Sequence, residues 1–298
     1  MATIAVMGAS GNIGSKITEH LQAGGHTVRA IGRSAEKLAG ARARGAEVLL
    51  GDVADASFLS RAFTGADGAF PMQPSNPAAA DLLAEQDHGG EAIVSAATRS
   101  GVRHLVALSS VGADVPAGTG PIAGLHRQEE RLKRLTGVNV LALRPGYFFE
   151  NFLAVLGLIK HQGINGAGAA PQTTIPMIAT RDIAAFAARA LAARDWTGFT
   201  VQELLGPCDL SFAEATRILG AAIGKPDLAY VQFPYADYSA ALQQAGLSKS
   251  VADLYAEMEK SFDDGIVKSA EGRNAANTTS TTFEQFAGEV IAPAYAAQ

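Results

Sequence analysis

Residues 8–14 read Gly-Ala-Ser-Gly-Asn-Ile-Gly, directly after the apolar run Thr3–Met7 and at the start of a helical pattern over residues 13–23. The spacing is GxxGxxG, not the GxGxxG fingerprint, but the chemistry it permits is the same: cradling a pyrophosphate. Gly8 can turn the chain sharply off a strand. Gly11 has no Cβ to keep a phosphate away, and Gly14 lets the following helix pack closely. The N–H groups and positive dipole end of that helix then face the anion, with Ala9, Ser10, Asn12 and Ile13 forming the rest of the loop. The bland alternative is a tight turn with no ligand.

A second strand, residues 27–31, ends in Gly32-Arg33-Ser34. A site that prefers NAD(H) places a carboxylate here to hold the ribose 2′-hydroxyl. Arg33 stands there instead, and Lys37 is expected one helical turn later. A guanidinium pairs with a 2′-phosphate through two hydrogen bonds, so NADP(H) is expected over NAD(H). Arg33 stacked on adenine or facing solvent is the alternative. Asp52 and Val53 follow the third strand, where Asp52 can accept from the adenine amino group or simply shape a turn. Met72 and Gln73, with Pro74 next, follow the fourth strand. Ser109 and Ser110 follow the fifth, where the nicotinamide ribose is expected.

These positions need strands to carry them. Apolar runs at 3–7, 27–31, 47–50, 68–70, 104–108 and 138–143 alternate with helical patterns at 13–23, 35–44, 91–100 and 125–135. Pro71 and Pro74 are expected to close the fourth strand. Such alternation predicts an α/β fold, a doubly wound parallel Rossmann sheet with helices on both faces. Ligands in such sheets sit at the carboxyl ends of the strands. Residues 1–150 are expected to form this dinucleotide-binding domain, with 176–206 returning to it, and 151–298 to form mainly a smaller C-terminal substrate-side lobe. In that part, residues 162–174 read as a Gly/Ala/Pro-rich loop. Thr180 is expected to cap a helix, and capping boxes are expected at Ser211–Glu214 and Thr281–Glu284.

The stretch Tyr147-Phe148-Phe149-Glu150-Asn151 follows the sixth strand and is expected to line the nicotinamide side of the cleft. There Pro145, Tyr147 and Phe148 would border the cofactor, and Phe149 and Asn151 the substrate. Adjacent aromatic rings suit a planar acceptor, but they equally suit an interface with the C-terminal part. Tyr230, Phe233, Tyr235 and Tyr238 read as core or pocket wall.

The chain has 298 residues, a net charge of −5 and 18% charged residues, a globular balance with no basic block, so nucleic-acid binding is not expected. One cysteine, Cys208, gives neither an internal disulfide nor a cysteine-rich metal site. The six histidines lack metal-ligand spacing, so no metal is expected. The start carries neither a charged segment nor a long apolar core, and no stretch approaches the ~20 apolar residues of a membrane helix. A cytoplasmic protein is expected, with no membrane association.

Taken together, GASGNIG, GRSAEKL, the Gly51-Asp52 pair, LSSVGA, LRPGYFFEN, TRDIA and TTSTTFEQFA resemble the NmrA-like atypical short-chain dehydrogenase/reductases over nearly the whole chain. The resemblance implies NADPH-dependent reduction of quinones or triphenylmethane dyes, or redox sensing through a dinucleotide without turnover. Ordinary short-chain dehydrogenases use a Tyr-x-x-x-Lys pair as proton donor. None of the six tyrosines here has lysine four residues on. Where the pair would fall stand His126 and Glu130, one turn apart on one helix face. His126 and Tyr147 are therefore the candidate catalytic groups, with His126 alternatively a supporting residue paired to Glu130. The resulting expectation is hydride transfer to a quinone or similar planar, electron-poor small molecule. The alternative is a non-catalytic NADP(H) sensor acting through a protein partner. A sugar-nucleotide epimerase or dehydratase fits poorly without the tyrosine acid.

Overall fold

The computed structural model describes residues 1–73 and 75–298. Strands and helices alternate as the periodicity requires: β1 Thr3–Met7, α1 Asn12–Ala23, β2 Thr27–Gly32, α2 Ala39–Ala43, β3 Glu47–Leu50, α3 Ala56–Phe63, β4 Gly68–Phe70, α4 Leu82–Ser100, β5 His104–Leu108, α5 Ile122–Leu132 and β6 Asn139–Pro145. The chain continues through β7 Tyr147–Phe148, α6 Leu156–Gln162, β8 Ile164–Ala167, β9 Thr174–Ile178, α7 Thr180–Ala193 and β10 Phe199–Leu204. It closes with β11 Asp209–Ser211, α8 Phe212–Ala222, β12 Ala229–Gln232, α9 Tyr235–Gln244, α10 Lys249–Asp263, α11 Phe283–Phe286 and α12 Ala292–Ala296.

Seven parallel strands form the main sheet in the order β10-β6-β5-β4-β1-β2-β3. The order reverses between β1 and β4, the doubly wound Rossmann arrangement, and that crevice is where such sheets bind ligands. Because β1 is pleated, Ile4 and Val6 pack toward Ile13, Ile17 and Leu21 of α1 and Ile183 and Leu191 of α7. Ala5 and Met7 pack toward Leu59 and Phe63 of α3 and Ile93 and Ala96 of α4 on the other face. A third core gathers Phe149, Phe152, Ile159, Met177, Phe212, Phe262, Phe283 and Phe286. Its backbone frame is the small sheet β11-β9-β7 and the pair β12-β8.

Several local expectations are corrected. The expected loop at 162–174 contains β8, whose edge is taken by β12 from far along the chain, so local composition gave no sign of it. The helix expected over 35–44 is only α2, preceded by turns, so Lys37 lies in a turn and not on a helix. Ala179, not Thr180, is the N-cap of α7, because the Thr180 hydroxyl is bonded to the Glu150 carboxylate. The Ser211–Glu214 capping box is present. The last one is shifted by one residue to Thr282 and Gln285, while Thr281 bonds Asp182. β4 ends at Phe70, before Pro71, and Pro74 lies outside the described residues.

Candidate active site

The glycine loop has the geometry its spacing demands. Gly8 sits at φ +63°, and a Cβ there would stand 2.3 Å from the Met72 sulfur, so the segment after β4 lies directly over the turn. Gly11 is the N-cap of α1 and donates to the Gly8 carbonyl at 2.8 Å. A Cβ on Gly14 would come within 2.3 Å of that same carbonyl oxygen, so helix and loop touch backbone to backbone. A Cβ on Gly11 would meet only the Gly8 oxygen at 3.4 Å. Ser10, Gly11 and Asn12 are exposed, whereas the Ala9 and Ile13 side chains are buried in the core beneath. Those two can offer a ligand only their backbone.

Arg33 is exposed just beyond β2 and makes no ion pair or side-chain hydrogen bond among the described residues; the Lys37 side chain is likewise exposed. Asp52 is used by its own turn, its Oδ1 accepting from Ala54 N–H at 2.9 Å. Val53 is half-buried against the core around Leu59 and Phe63.

At the carboxyl ends of β4, β5 and β6 lies a cavity of about 300 Å³. It brings together eight of the expected residues: Met72, Gln73, Ser109, Ser110, Pro145, Tyr147, Phe148 and Asn151. Its far wall was not anticipated: Gln86 of α4, Ile122 and Leu125 of α5, and Tyr255, Met258 and Phe262 of α10. Apart from the two tyrosines, none of the described residues lining it is ionisable. Gln73 donates through Nε2 to the Gln86 carbonyl at 2.9 Å, while its own side-chain oxygen, buried, has no partner among the described residues. A second, larger cavity of about 1000 Å³ adjoins the first and shares Ser75, Tyr147, Asn151, Tyr255 and Met258 with it. Phe233 and Tyr238 line this second space, while Tyr230 packs on Phe212 and Tyr235 bonds Asp263.

Behind the first cavity, Glu129 is 2% exposed and paired with Arg144 through two hydrogen bonds, Nε to Oε1 at 2.9 Å and Nη2 to Oε2 at 2.7 Å. Ser109 donates to the same carboxylate at 2.6 Å. The Arg144 pKa is raised by this pairing. The Ser110 hydroxyl donates to the Val111 carbonyl, so both serine protons are committed within the protein. Sequence reasoning missed Glu129 and Arg144. The available signal was an arginine at the end of an otherwise apolar buried strand, which requires a buried acid.

Two expectations fail here. His126 does not line the cavity; its Nδ1 lies 2.8 Å from the Ala113 carbonyl, and Glu130 pairs with Lys133 instead of with it. Phe149 is fully buried, its ring 4.9 Å from Phe283 and 5.5 Å from Phe286, so it is core and cannot meet a substrate. Tyr147, by contrast, lines both cavities, with Phe152, Phe212 and Phe262 edge-on around its ring. Burial pushes its phenol pKa well above the usual tyrosine range; the nearby Glu259 charge adds to the rise and a hydrogen bond to Asn151 opposes it.

Among the described residues no cluster of three or more His, Cys, Asp or Glu is placed to hold a metal ion, and no helix is long and apolar enough to cross a membrane.

The chain is 30% identical over 297 residues to an NAD(P)H azoreductase of Xenophilus azovorans, covering 95% of this chain and 96% of that one. It is 27% identical to quinone oxidoreductase 2 of Escherichia coli, covering 86% of each. The crystal structure of the NADPH-dependent quinone oxidoreductase QOR2 of that organism, complexed with NADPH, superposes with a TM-score of 0.79 at 24% identity over 97% of this chain and 99% of that one. The NmrA-like family model matches residues 1–287. With that match along almost its whole length and a relative aligned end to end, the protein belongs to the NmrA-like family.

Proposed function

We propose that this protein is an NADPH-dependent oxidoreductase that delivers hydride to a neutral, planar, electron-poor acceptor such as a quinone. The observation that carries this reading is the first cavity. It opens at the strand ends beside the glycine loop, is of a size for one small ring system, and has apolar walls with no charge to recognise an ionic substrate. The oxidoreductase names of the relatives support the same class of chemistry.

The residues fit the cofactor. Ser10 and Asn12 would present backbone N–H groups to the pyrophosphate, while Gly11, whose own N–H is taken by the Gly8 carbonyl, leaves open space that admits it. Arg33, exposed and without an ion-pair partner among the described residues, would take the 2′-phosphate, with Lys37 adding charge. Met72 and Pro145 would flank the nicotinamide. The unpartnered Gln73 oxygen would accept from its carboxamide. When bound, NADPH supplies two electrons and one hydrogen nucleus as hydride. What the chain supplies is position: Phe148 and Tyr147 would hold the acceptor ring at hydride distance, and the apolar wall of α10 would exclude water. The part of the chain from residue 151 on, apart from α7 and β10, which pack into the Rossmann layer, would thus act as the substrate-side lobe.

The test is NADPH oxidation by the purified protein, followed by nicotinamide absorbance, against a panel of quinones, with NADH in parallel. Turnover with NADPH and little with NADH is expected. Tight NADPH binding without turnover on any acceptor would overturn the reading in favour of a dinucleotide sensor.

A further inference from the structure

Reducing a quinone consumes a hydride and then a proton, and the first cavity holds no group suited to give that proton and recover it alone. Among the described residues its titratable side chains are Tyr147 and Tyr255. Both phenols are pushed upward by burial, so each keeps its proton and yields it only if another group replaces it at once. Glu259 of α10 is placed to do this. It is 1% exposed, yet it lines the second cavity, whose wall also includes Tyr147. Its one hydrogen bond among the described residues is from Ala169 N–H to Oε2 at 3.0 Å, so the other carboxyl oxygen is uncommitted.

We propose that, in the reductase read above, Glu259 is the proton reservoir: it passes a proton through the Tyr147 hydroxyl to the reduced acceptor and is recharged from solvent through the second cavity. In balance, a quinone receives hydride and becomes the hydroquinone monoanion. The O–H bond of Tyr147 breaks as that oxygen is protonated, the Glu259 carboxyl proton moves to the tyrosine oxygen, and the carboxylate then takes a proton from water. The electrons come only from the nicotinamide.

The surroundings suit a carboxyl that exchanges protons near neutrality. The groups whose charges interact with it are Tyr147 of β7, Tyr230 of β12, Tyr235 and Tyr238 of α9, and Asp263 one turn further along α10. His161 and Asp237 stand elsewhere on the same cavity wall. No arginine or lysine is in this set to hold the charge. Burial, with the Asp263 charge added, pushes Glu259 up to about 7, against the opposing Ala169 N–H. Tyr147 here is the group that meets the acceptor, and Glu259 acts through it.

The test compares wild type with Glu259→Gln, whose amide oxygen still accepts from Ala169, and with Tyr147→Phe. Turnover of NADPH with a small quinone is measured between pH 5 and 9, and the protonated carboxyl of the NADPH-bound proteins is titrated by infrared difference spectroscopy. Wild-type kcat should fall as pH rises through about 7. Glu259→Gln should lose that inflection and at least about ten-fold in kcat, with KM for NADPH unchanged. The infrared carboxyl band should vanish through neutral pH in wild type and be missing from Glu259→Gln. An unchanged pH profile in Glu259→Gln overturns the proposal. If no acceptor is reduced by wild type, the reductase reading fails by itself. The infrared titration still decides the carboxyl: ionisation in the ordinary glutamate range overturns the proposal too.

Discussion

Glu129 and Arg144 face each other as a buried, two-point ion pair whose carboxylate also receives the Ser109 hydroxyl. One residue comes from α5 and the other from the end of β6, so the pair ties the helix to the strand tip that carries Pro145 and Tyr147. Removing the carboxylate leaves a guanidinium that is 8% exposed with only the looser, half-exposed Asp114 carboxylate at 3.5 Å to pair with. Glu129→Ala should therefore lower unfolding free energy by about 3–5 kcal/mol, read from urea titration. Glu129→Gln, which keeps acceptor and shape, should lose less. Equal stability of Glu129→Ala and wild type would show that the pair does not hold the strand tip.

Arg33 is the one test of cofactor choice the sequence offers on its own. If its guanidinium pairs with the 2′-phosphate, Arg33→Asp should reverse the preference, raising KM for NADPH by about 10²-fold while leaving NADH nearly unaffected, since a charge-assisted pair is lost and a repulsion added. Parallel titrations of both nucleotides check it. An unchanged ratio removes Arg33 from the phosphate site.

Gly11 and Gly14 have different jobs and should fail differently. A methyl at Gly14 would overlap the Gly8 carbonyl at 2.3 Å, backbone against backbone, so Gly14→Ala should lower Tm and weaken NADPH binding together. Gly11 has φ −90° and space for a methyl, so Gly11→Ala should keep wild-type Tm. Its methyl would point where the pyrophosphate is expected, so NADPH affinity alone should drop. Calorimetry beside fluorescence titration separates the two, and a Gly11→Ala protein with full affinity would displace the phosphate from this loop.

The near side of the site was legible because its chemistry is local. A strand, three glycines and the start of a helix within twelve residues state a mechanism, and β-strand order carries Met72, Ser109 and Pro145 to the same edge. The far wall was not legible. Tyr255, Met258 and Phe262 recur at helical spacing, the same pattern that marks core packing. His126 was expected from its place in a family pattern, but its ring turns to the Ala113 carbonyl, away from the cavity. Phe149 was grouped with its neighbours, although the chain turns after β7 into a 3-10 helix over Phe149–Leu153 that sends its ring into the core. The sign that sequence did carry and that went unread is Glu259. It stands on the buried stripe of α10 with Ala252, Ala256 and Phe262, where an isolated acid needs a reason.

That acid gives stability a pH dependence of known sign. The Glu259 pKa is raised in the fold, to about 7 from an ordinary 4.5. Below 4.5 both folded and unfolded chains hold the proton, and its contribution to stability is complete. Between 4.5 and 7 the unfolded chain releases it and the folded chain does not, so stability falls as pH rises; above 7 both have released it and the loss is complete. The full effect is on the order of 3 kcal/mol. Glu259→Gln cannot ionise and escapes this loss. Its Tm measured against wild type should therefore climb by several degrees between pH 5 and pH 8, all other titrating groups being common to both proteins. Thermal melts at matched ionic strength supply the comparison, and a Tm difference that stays constant with pH would mean that Glu259 ionises in the fold as it does in water.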